Sequence, residues 1–462
     1  MAPRKNPAPE NGSASPSRLN TSVQGGLLLL IGFVCPIIPR ADVALFLMLG
    51  LLSVFYFFFD RDSWSDLLEL PRDRWLPLIF LSLAIYLHIN AIWAPDVGVA
   101  LKKAITFSVT ILVAWTIARS FGGQPENAAF KATTLFIIGF AAGAGFECIE
   151  YLSGHAWREA LYLAWPSLRP GDNTISVIRM LGDGGYALLT EEEYGAYLGH
   201  DIEINYQPSA ANRNVTLILL FLWPALLLGA YQKDRIRRTF AFASIGTTSI
   251  LAIALSASQT VQAALILSVS VFFAARYVPR LMHALLVGGW CLVLVFAIPL
   301  ALLPYKLDLH NSDWLFESAQ DRVRIWDLTA RMVTKAPIFG TGIRATRFKS
   351  KDLIEKRAAK REPGDSTLPA RLGRHAHNHF LQIWYELGAV GAALFLALGL
   401  ALLRLIKGLS GPVRPYAHAA FSAACVIAAF GWGLWQTWLL AGYALAIVLI
   451  GLAACFSRSQ EI

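Results

Sequence analysis

The feature that most constrains this chain is a succession of apolar runs, each about 18–25 residues long, the length that crosses roughly 30 Å of hydrocarbon. No water reaches that depth, so each run has to satisfy its own backbone N–H and C=O groups, and a helix does so. The spans predicted from these runs lie at 23–39, 41–59, 75–93, 99–118, 130–151, 214–231, 239–257, 259–276, 281–304, 379–403, 416–434 and 437–456. The expected fold class is therefore all-α, a polytopic membrane helical bundle of about twelve transmembrane helices. Composition agrees, since 56% of the 462 residues are apolar and 15% charged. A soluble domain holds about 45–50% and about 25% respectively.

Lysines and arginines in short connections set the expected orientation. With the N-terminus inside, the cytoplasmic connections carry Arg61, Arg72 and Arg74, then Arg119 and Lys131, then Lys233, Arg235, Arg237 and Arg238, then Arg276 and Arg280, and last Arg404, Lys407 and Arg414. Both termini are then cytoplasmic. Two long segments, about 152–213 and about 305–378, fall on the other side, the second of them partly helical and placed before the tenth helix. The second is basic, which runs against the charge bias, but long loops translocate largely regardless of charge. Residues 1–22, rich in Pro, Ser and Asn, read as a disordered cytoplasmic tail. Residues 23–456 read as the transmembrane domain with its two loops, and 457–462 as a second cytoplasmic tail. Cys35, Cys148, Cys291, Cys425 and Cys455 all fall inside apolar runs and read as small buried hydrophobes.

Chemistry-bearing residues concentrate in the second long loop. Ser318-Ala-Gln-Asp-Arg322-Val-Arg324-Ile-Trp326 opens an amphipathic helix with Ile325, Leu328 and Met332 on one face, flanked by Arg322 and Arg324. It stops near Lys335-Ala-Pro337, and Pro337-Ile-Phe-Gly340-Thr-Gly342 follows as a tight turn. From these residues alone, a solvated helix lying on the membrane surface is an equal reading. Arg374-His375-Ala-His377-Asn378-His379 then stands at the mouth of an apolar run. Three readings are open: alternate histidines can hold a metal, Asn378 can cap the following helix, and a neutral imidazole can take a proton from an alcohol.

His377-Asn378, nine residues, then Gly388-Ala-Val-Gly391 resembles the signature of the O-antigen ligase and polymerase superfamily of bacterial membrane glycosyltransferases. Arg322 four residues before Trp326, followed by Pro337-x-x-Gly340-x-Gly342, is similar to the loop of that family. The span count and the loop before the third-last span are similar too. The specific motifs cover about 318–391. The resemblance implies transfer of a glycan from an undecaprenyl-pyrophosphate carrier to a lipid A-core or another glycan, with no metal or other cofactor. It also implies a bacterial inner membrane with a periplasmic active site. By motif position it places His377 and Arg322 in catalysis. Arg213, in Asn212-Arg213-Asn214 at the mouth of the sixth span, is the candidate for the second arginine, although a lone Arg there also reads as an interfacial anchor. Asn378, Arg324, His375 and Arg347 are the further substrate-binding candidates. Partners are then the donor, the acceptor and membrane lipids, and not nucleic acid.

A ligase is favoured slightly over a polymerase, because the basic loop suits a phosphorylated acceptor. Glu147 and Glu150, one turn apart in the fifth span, keep a secondary transporter as the rival from another class. A transporter gathers its polar groups at mid-membrane, and a transferase at one interface. Trp432, Trp435 and Trp438 read as an interfacial aromatic belt.

Overall fold

The computed structural model describes residues 16–59, 67, 74–164, 178–180, 186–188, 208–347 and 376–460. Its helices are α1 (Pro16–Ile37), α2 (Ala41–Phe59), α3 (Trp75–Asn90), α4 (Val97–Gly122), α5 (Glu126–Leu152), α6 (Ala156–Ala164), α7 (Pro208–Ala230) and α8 (Arg235–Leu255). There follow α9 (Gln259–Tyr277), α10 (Pro279–Val295), α11 (Ala297–Lys306), α12 (Glu317–Val333), α13 (His379–Lys407), α14 (Arg414–Phe430) and α15 (Thr437–Gln460). The departure from an all-helical chain is a two-stranded antiparallel ribbon pairing β1 (Ile178–Met180) with β2 (Tyr186–Leu188). The molecule is a polytopic helical membrane bundle.

Every predicted span coincides with a helix or a helix pair. Among the described residues, nine helices are long and apolar enough to cross a membrane, and α10 with α11 makes a tenth, broken span. The other two predicted spans correspond to α1, whose apolar part is Ser22–Ile37, and to the 17-residue α14. One expected span is broken. The span expected at 281–304 bends by 72° between α10 and α11. Pro299 supplies no N–H to the carbonyl four residues back and its ring crowds that turn. One residue before that carbonyl, Leu294 O accepts from the Trp384 indole (2.7 Å). The helix α1 begins at Pro16, inside the expected tail, and α15 runs to Gln460.

Caps fix several helix starts. Asp96 accepts from Val99 N (2.9 Å) at the head of α4, and Asp234 from Arg237 N (2.7 Å) at α8. Each such cap contributes about 1 kcal/mol. The helices α1 and α5 approach backbone to backbone, because a Cβ on Gly139 would lie 2.2 Å from the Leu29 carbonyl. Small residues allow that contact where hydrocarbon offers no hydrophobic drive for association. At the centre, α7 is enclosed by α5, α8, α14 and α15, with Val215, Leu217, Ile218, Leu219 and Phe221 all buried. Its second turn therefore presents Arg213 from a rigid element.

Candidate active site at one end of the bundle

The site is built on a helix that breaks. Gly388 lies within α13 at φ 65°, ψ −164°, a conformation open essentially to glycine alone. The turn 337–342 enters the gap and takes over the backbone bonds that the helix gives up. Thr341 N donates to Tyr385 O (3.0 Å) and Gly342 N to Glu386 O (3.0 Å). On the other side Ala389 N donates to Pro337 O (2.9 Å) and Val390 N to Ile338 O (3.2 Å). Tyr86 and Asn90 of α3 complete the seam, the Tyr86 hydroxyl donating to Leu387 O (2.6 Å) and the Asn90 amide to Phe339 O (3.0 Å). The glycines are there for space. A Cβ on Gly340 would meet Glu386 O at 2.3 Å, and one on Gly388 would meet Ile338 O at 2.4 Å.

Below the break, Glu386 is fully buried, and its carboxylate is the hub of the loop. It accepts from Arg344 N (3.0 Å), Thr346 N (3.2 Å), the Thr346 hydroxyl (2.6 Å), the Gln382 amide (3.1 Å) and the Trp435 indole. Gln382 in turn accepts from Leu434 N (3.0 Å). Two side chains one turn apart on α13 thus fix both the loop after α12 and the turn between α14 and α15.

His377 stands just before α13 at φ 51°, in the left-handed region that histidine tolerates better than most residues. Three contacts hold it there. Asn378 Oδ1 accepts from Leu381 N (3.0 Å) as the N-cap, Ala376 O accepts from the Trp326 indole (2.9 Å), and His377 Nδ1 lies 2.8 Å from Gly431 O. A carbonyl only accepts, so Nδ1 carries the proton and Nε2 carries the lone pair of the neutral ring. Burial above all, with the nearby Arg322 guanidinium adding to it and the bond to Gly431 opposing it, lowers the imidazole pKa to about 4.

Arg322 lies one turn before Trp326 on α12, so the indole that grips Ala376 also aims Arg322 at the same place. Its Nη1 donates to Thr260 Oγ1 (3.4 Å) at the head of α9, and burial depresses its pKa. Arg213 covers the Trp432 ring at 5.3 Å, and Trp432 follows the very residue whose carbonyl meets His377. Arg213, Arg322 and His377 therefore gather at one end of the bundle, around the turn that begins at Gly431. Mid-membrane convergence, the mark of the transporter reading, is not what these residues show.

The other candidates are placed differently. Asn378 spends its side-chain oxygen on the cap. Arg324 turns away, donating to His310 O (2.7 Å) and pairing with Asp321 (3.3 Å). Arg347 is exposed, beside Arg344 and Lys103. His375 lies outside the described residues, as does 349–361. Among the described residues no group of three or more His, Cys, Asp or Glu is arranged to hold a metal. The helix α12 is not a free surface helix, because it packs on α11 and α13, with Trp326 against Phe430 at 5.8 Å. The expected tryptophan belt is also corrected. Trp435 and Trp438 are buried, since their indoles donate to Glu386 and to Gln436 (3.2 Å), while Trp432 packs on Trp438. Cys455 is exposed rather than buried.

Comparison with known proteins adds to this geometry. Residues 244–396, about a third of the chain, match the family profile described as O-Antigen ligase. That stretch is similar to the O-antigen ligase family. Proteins named "Putative polysaccharide ligase" are similar over longer or shorter stretches. The match to the protein of Rickettsia bellii is 26% identical over 280 residues, covering 57% of this chain and 64% of that one. The Rickettsia typhi protein is 26% identical over 188 residues, 39% of this chain and 44% of its own length. The Rickettsia felis protein is 30% identical over 139 residues, 29% of this chain and 32% of its own. The chain thus spans less than two thirds of the length of the curated relatives it matches.

His377, Arg322, Glu386 and the inserted turn all lie inside the matched region, and Arg213 outside it. Three residues of this chain carry structural weight that sequence patterns alone do not mark. Glu386 sits in an apolar run where a carboxylate is costly, and that cost is the one signal that could have found it. Arg158 on α6 pairs with Glu147 and, at 3.7 Å, with Glu150. Asn214 joins them by donating to Glu147 Oε1 (2.8 Å). These carboxylates pin the start of α7, next to Arg213, to α5.

Proposed function

We propose that this protein is a membrane glycosyltransferase of the ligase type. It moves a glycan from an undecaprenyl-pyrophosphate carrier to a lipid A-core acceptor at the periplasmic face of the bacterial inner membrane. The observation that carries the reading is the convergence of two guanidiniums and one neutral imidazole at a single end of a membrane bundle. Arg213 and Arg322 make charge-assisted bonds to the diphosphate, whose charge grows as the sugar C1–O bond to it breaks. The acceptor hydroxyl forms the new C1–O bond and gives its proton to His377 Nε2. Bound diphosphate also offsets the Arg322 charge that disfavours the imidazolium, so donor binding raises the basicity of His377.

The test is a deletion strain of a lipopolysaccharide-producing host, analysed on a gel. Loss of the whole O-antigen ladder with an intact core is the expected result. A core bearing one repeat unit would assign a polymerase instead, and an unchanged ladder would overturn both. Complementation by His377→Ala or Arg322→Ala is expected to leave the ladder absent while the protein still inserts.

A further inference from the structure

One tryptophan joins the two halves of the site. Trp432 stands in the turn 431–436 between α14 and α15, and its indole N–H, its carbonyl and its ring are each held by a different helix. The indole N–H donates to Thr216 Oγ1 (3.1 Å) on α7. The Thr216 hydroxyl donates in turn to Asn212 O (2.7 Å), so a lone pair of that oxygen faces the indole. The Trp432 carbonyl accepts from the ring of His379, in the first turn of α13. The Trp432 ring meets Trp438 of α15 nearly at right angles, with centroids 5.3 Å apart. Over the same ring lies the Arg213 guanidinium, 5.3 Å from the centroid.

His377 and His379 flank the cap residue Asn378 and bind consecutive carbonyls, those of Gly431 and Trp432. Nε2 of His379 is buried with no hydrogen-bond partner among the described residues, so the bond to Trp432 runs from Nδ1 and is the engagement of that ring. Arg213 therefore rests on the residue directly after the one that His377 holds, and α13 keeps those two residues in register. Thr216 lies three residues after Arg213, on the same face of α7, so one indole touches both. A guanidinium laid over an indole is attracted through its π face, while its N–H donors lie in its own plane. The contact orients those donors without consuming them, which is what bidentate binding of a diphosphate requires of an arginine on a flexible stem. A tryptophan of an interfacial belt turns its N–H to headgroups and water. Trp432 gives its own to Thr216, and a belt role does not account for the bond from His379.

We infer that Trp432 is a positioning residue: held by Thr216 and His379, its ring is the platform that aims Arg213 at the diphosphate, in register with His377. That the diphosphate belongs to a glycan donor rests on the transferase reading; the hold of the platform on the guanidinium does not.

The experiment is a double-mutant cycle on the full-length protein in detergent, read by the Kd of undecaprenyl pyrophosphate, with glycan transfer measured alongside. Trp432→Leu removes the aromatic face and is expected to weaken binding by about tenfold, the effect of a partly desolvated cation–π contact. In an Arg213→Ala background the same substitution is expected to weaken it no further, because it acts through the guanidinium. Trp432→Phe keeps an aromatic face and is expected to recover most of the affinity. A tryptophan that only supports the fold would weaken binding by the same factor in both backgrounds, and that result overturns the inference, as does a phenylalanine variant no better than leucine. Thr216→Val leaves the indole N–H without its acceptor, and carries the same cycle with a smaller step if Trp432→Leu does not fold. No binding of the pyrophosphate by the wild type overturns the platform and the transferase reading together. Non-additive losses in a protein that transfers no glycan sink the transferase reading and leave the platform standing.

Discussion

His377 shows how much one residue's backbone and neighbours decide. The bond from Nδ1 to Gly431 selects the tautomer, and burial beside Arg322 keeps the ring neutral down to a pKa of about 4. Its folded pKa is depressed below the usual 6.5, so the unfolded chain binds more protons between about pH 4 and 6.5, and the folded state loses stability as pH falls through that window. For the proposed reaction this predicts that the acid limb of kcat/KM, which reports the free enzyme, lies near pH 4. The limb of kcat, which reports the donor complex, is expected at higher pH, because the bound diphosphate cancels the Arg322 charge. Coincident limbs near 6.5 in both profiles would count against His377 as the base. Arg322 yields a second prediction. Arg322→Ala is expected to lower the transfer rate by about 10²–10³-fold, as the removal of one transition-state donor does. Arg322→Lys keeps the charge but loses the planar fork, and is expected to recover only part of that. Initial rates with purified protein and lipid-linked donor decide it, and a wild-type rate for the lysine variant would refute bidentate binding.

At the scale of elements, the broken helix α13 is the decisive piece. The spans were legible in the sequence because hydrocarbon leaves an apolar run no alternative to a helix, and His377 and Arg322 stand out as candidates because their motifs are local. The break at Gly388 was not legible, since 379–403 reads as one continuous apolar run. What opens it is a turn some fifty residues upstream, and such a pairing leaves no periodic trace in either segment. The same holds for Arg158, whose partners Glu147 and Glu150 lie on another helix, and for Trp432, which meets Thr216 only in three dimensions. Gly388→Ala is therefore expected to fail at folding rather than at chemistry. The required backbone conformation alone costs an alanine about 1–3 kcal/mol, before its Cβ meets Ile338 O. Glu386→Gln is expected to fold with lowered thermal stability, since it turns one acceptor into a donor among five donors, and each stranded buried group costs about 1–3 kcal/mol. Fluorescence-detected size-exclusion after a heating series separates the two variants from His377→Ala, which is expected to elute as wild type. A Gly388→Ala protein that melts like wild type would mean that the inserted turn does not depend on that glycine.

For the whole molecule, the argument turns on which side of the membrane the convergent end faces. Lys233, Arg235, Arg237 and Arg238 crowd the connection from α7 to α8, and Arg404, Lys407 and Arg414 that from α13 to α14. Both connections lie at the opposite ends of these helices from Arg213 and His377, which start α7 and precede α13. Cationic short connections favour the cytoplasmic side, which is the ground for expecting the site end on the translocated side. A glycan already displayed outside the cytoplasm on a lipid carrier can be handed over only there, which makes sidedness a condition of the proposed function. Cysteine labelling in a background with the five native cysteines replaced tests it. Asp313 and Arg237 are both exposed and lie at opposite ends of the bundle. In right-side-out spheroplasts a membrane-impermeant maleimide is expected to label Asp313→Cys at once and Arg237→Cys only after permeabilisation. The reverse pattern would put the imidazole and both guanidiniums in the cytoplasm, where no periplasmic acceptor reaches them, and the proposed transfer would fail while the helical bundle and its similarity to the O-antigen ligase family remained.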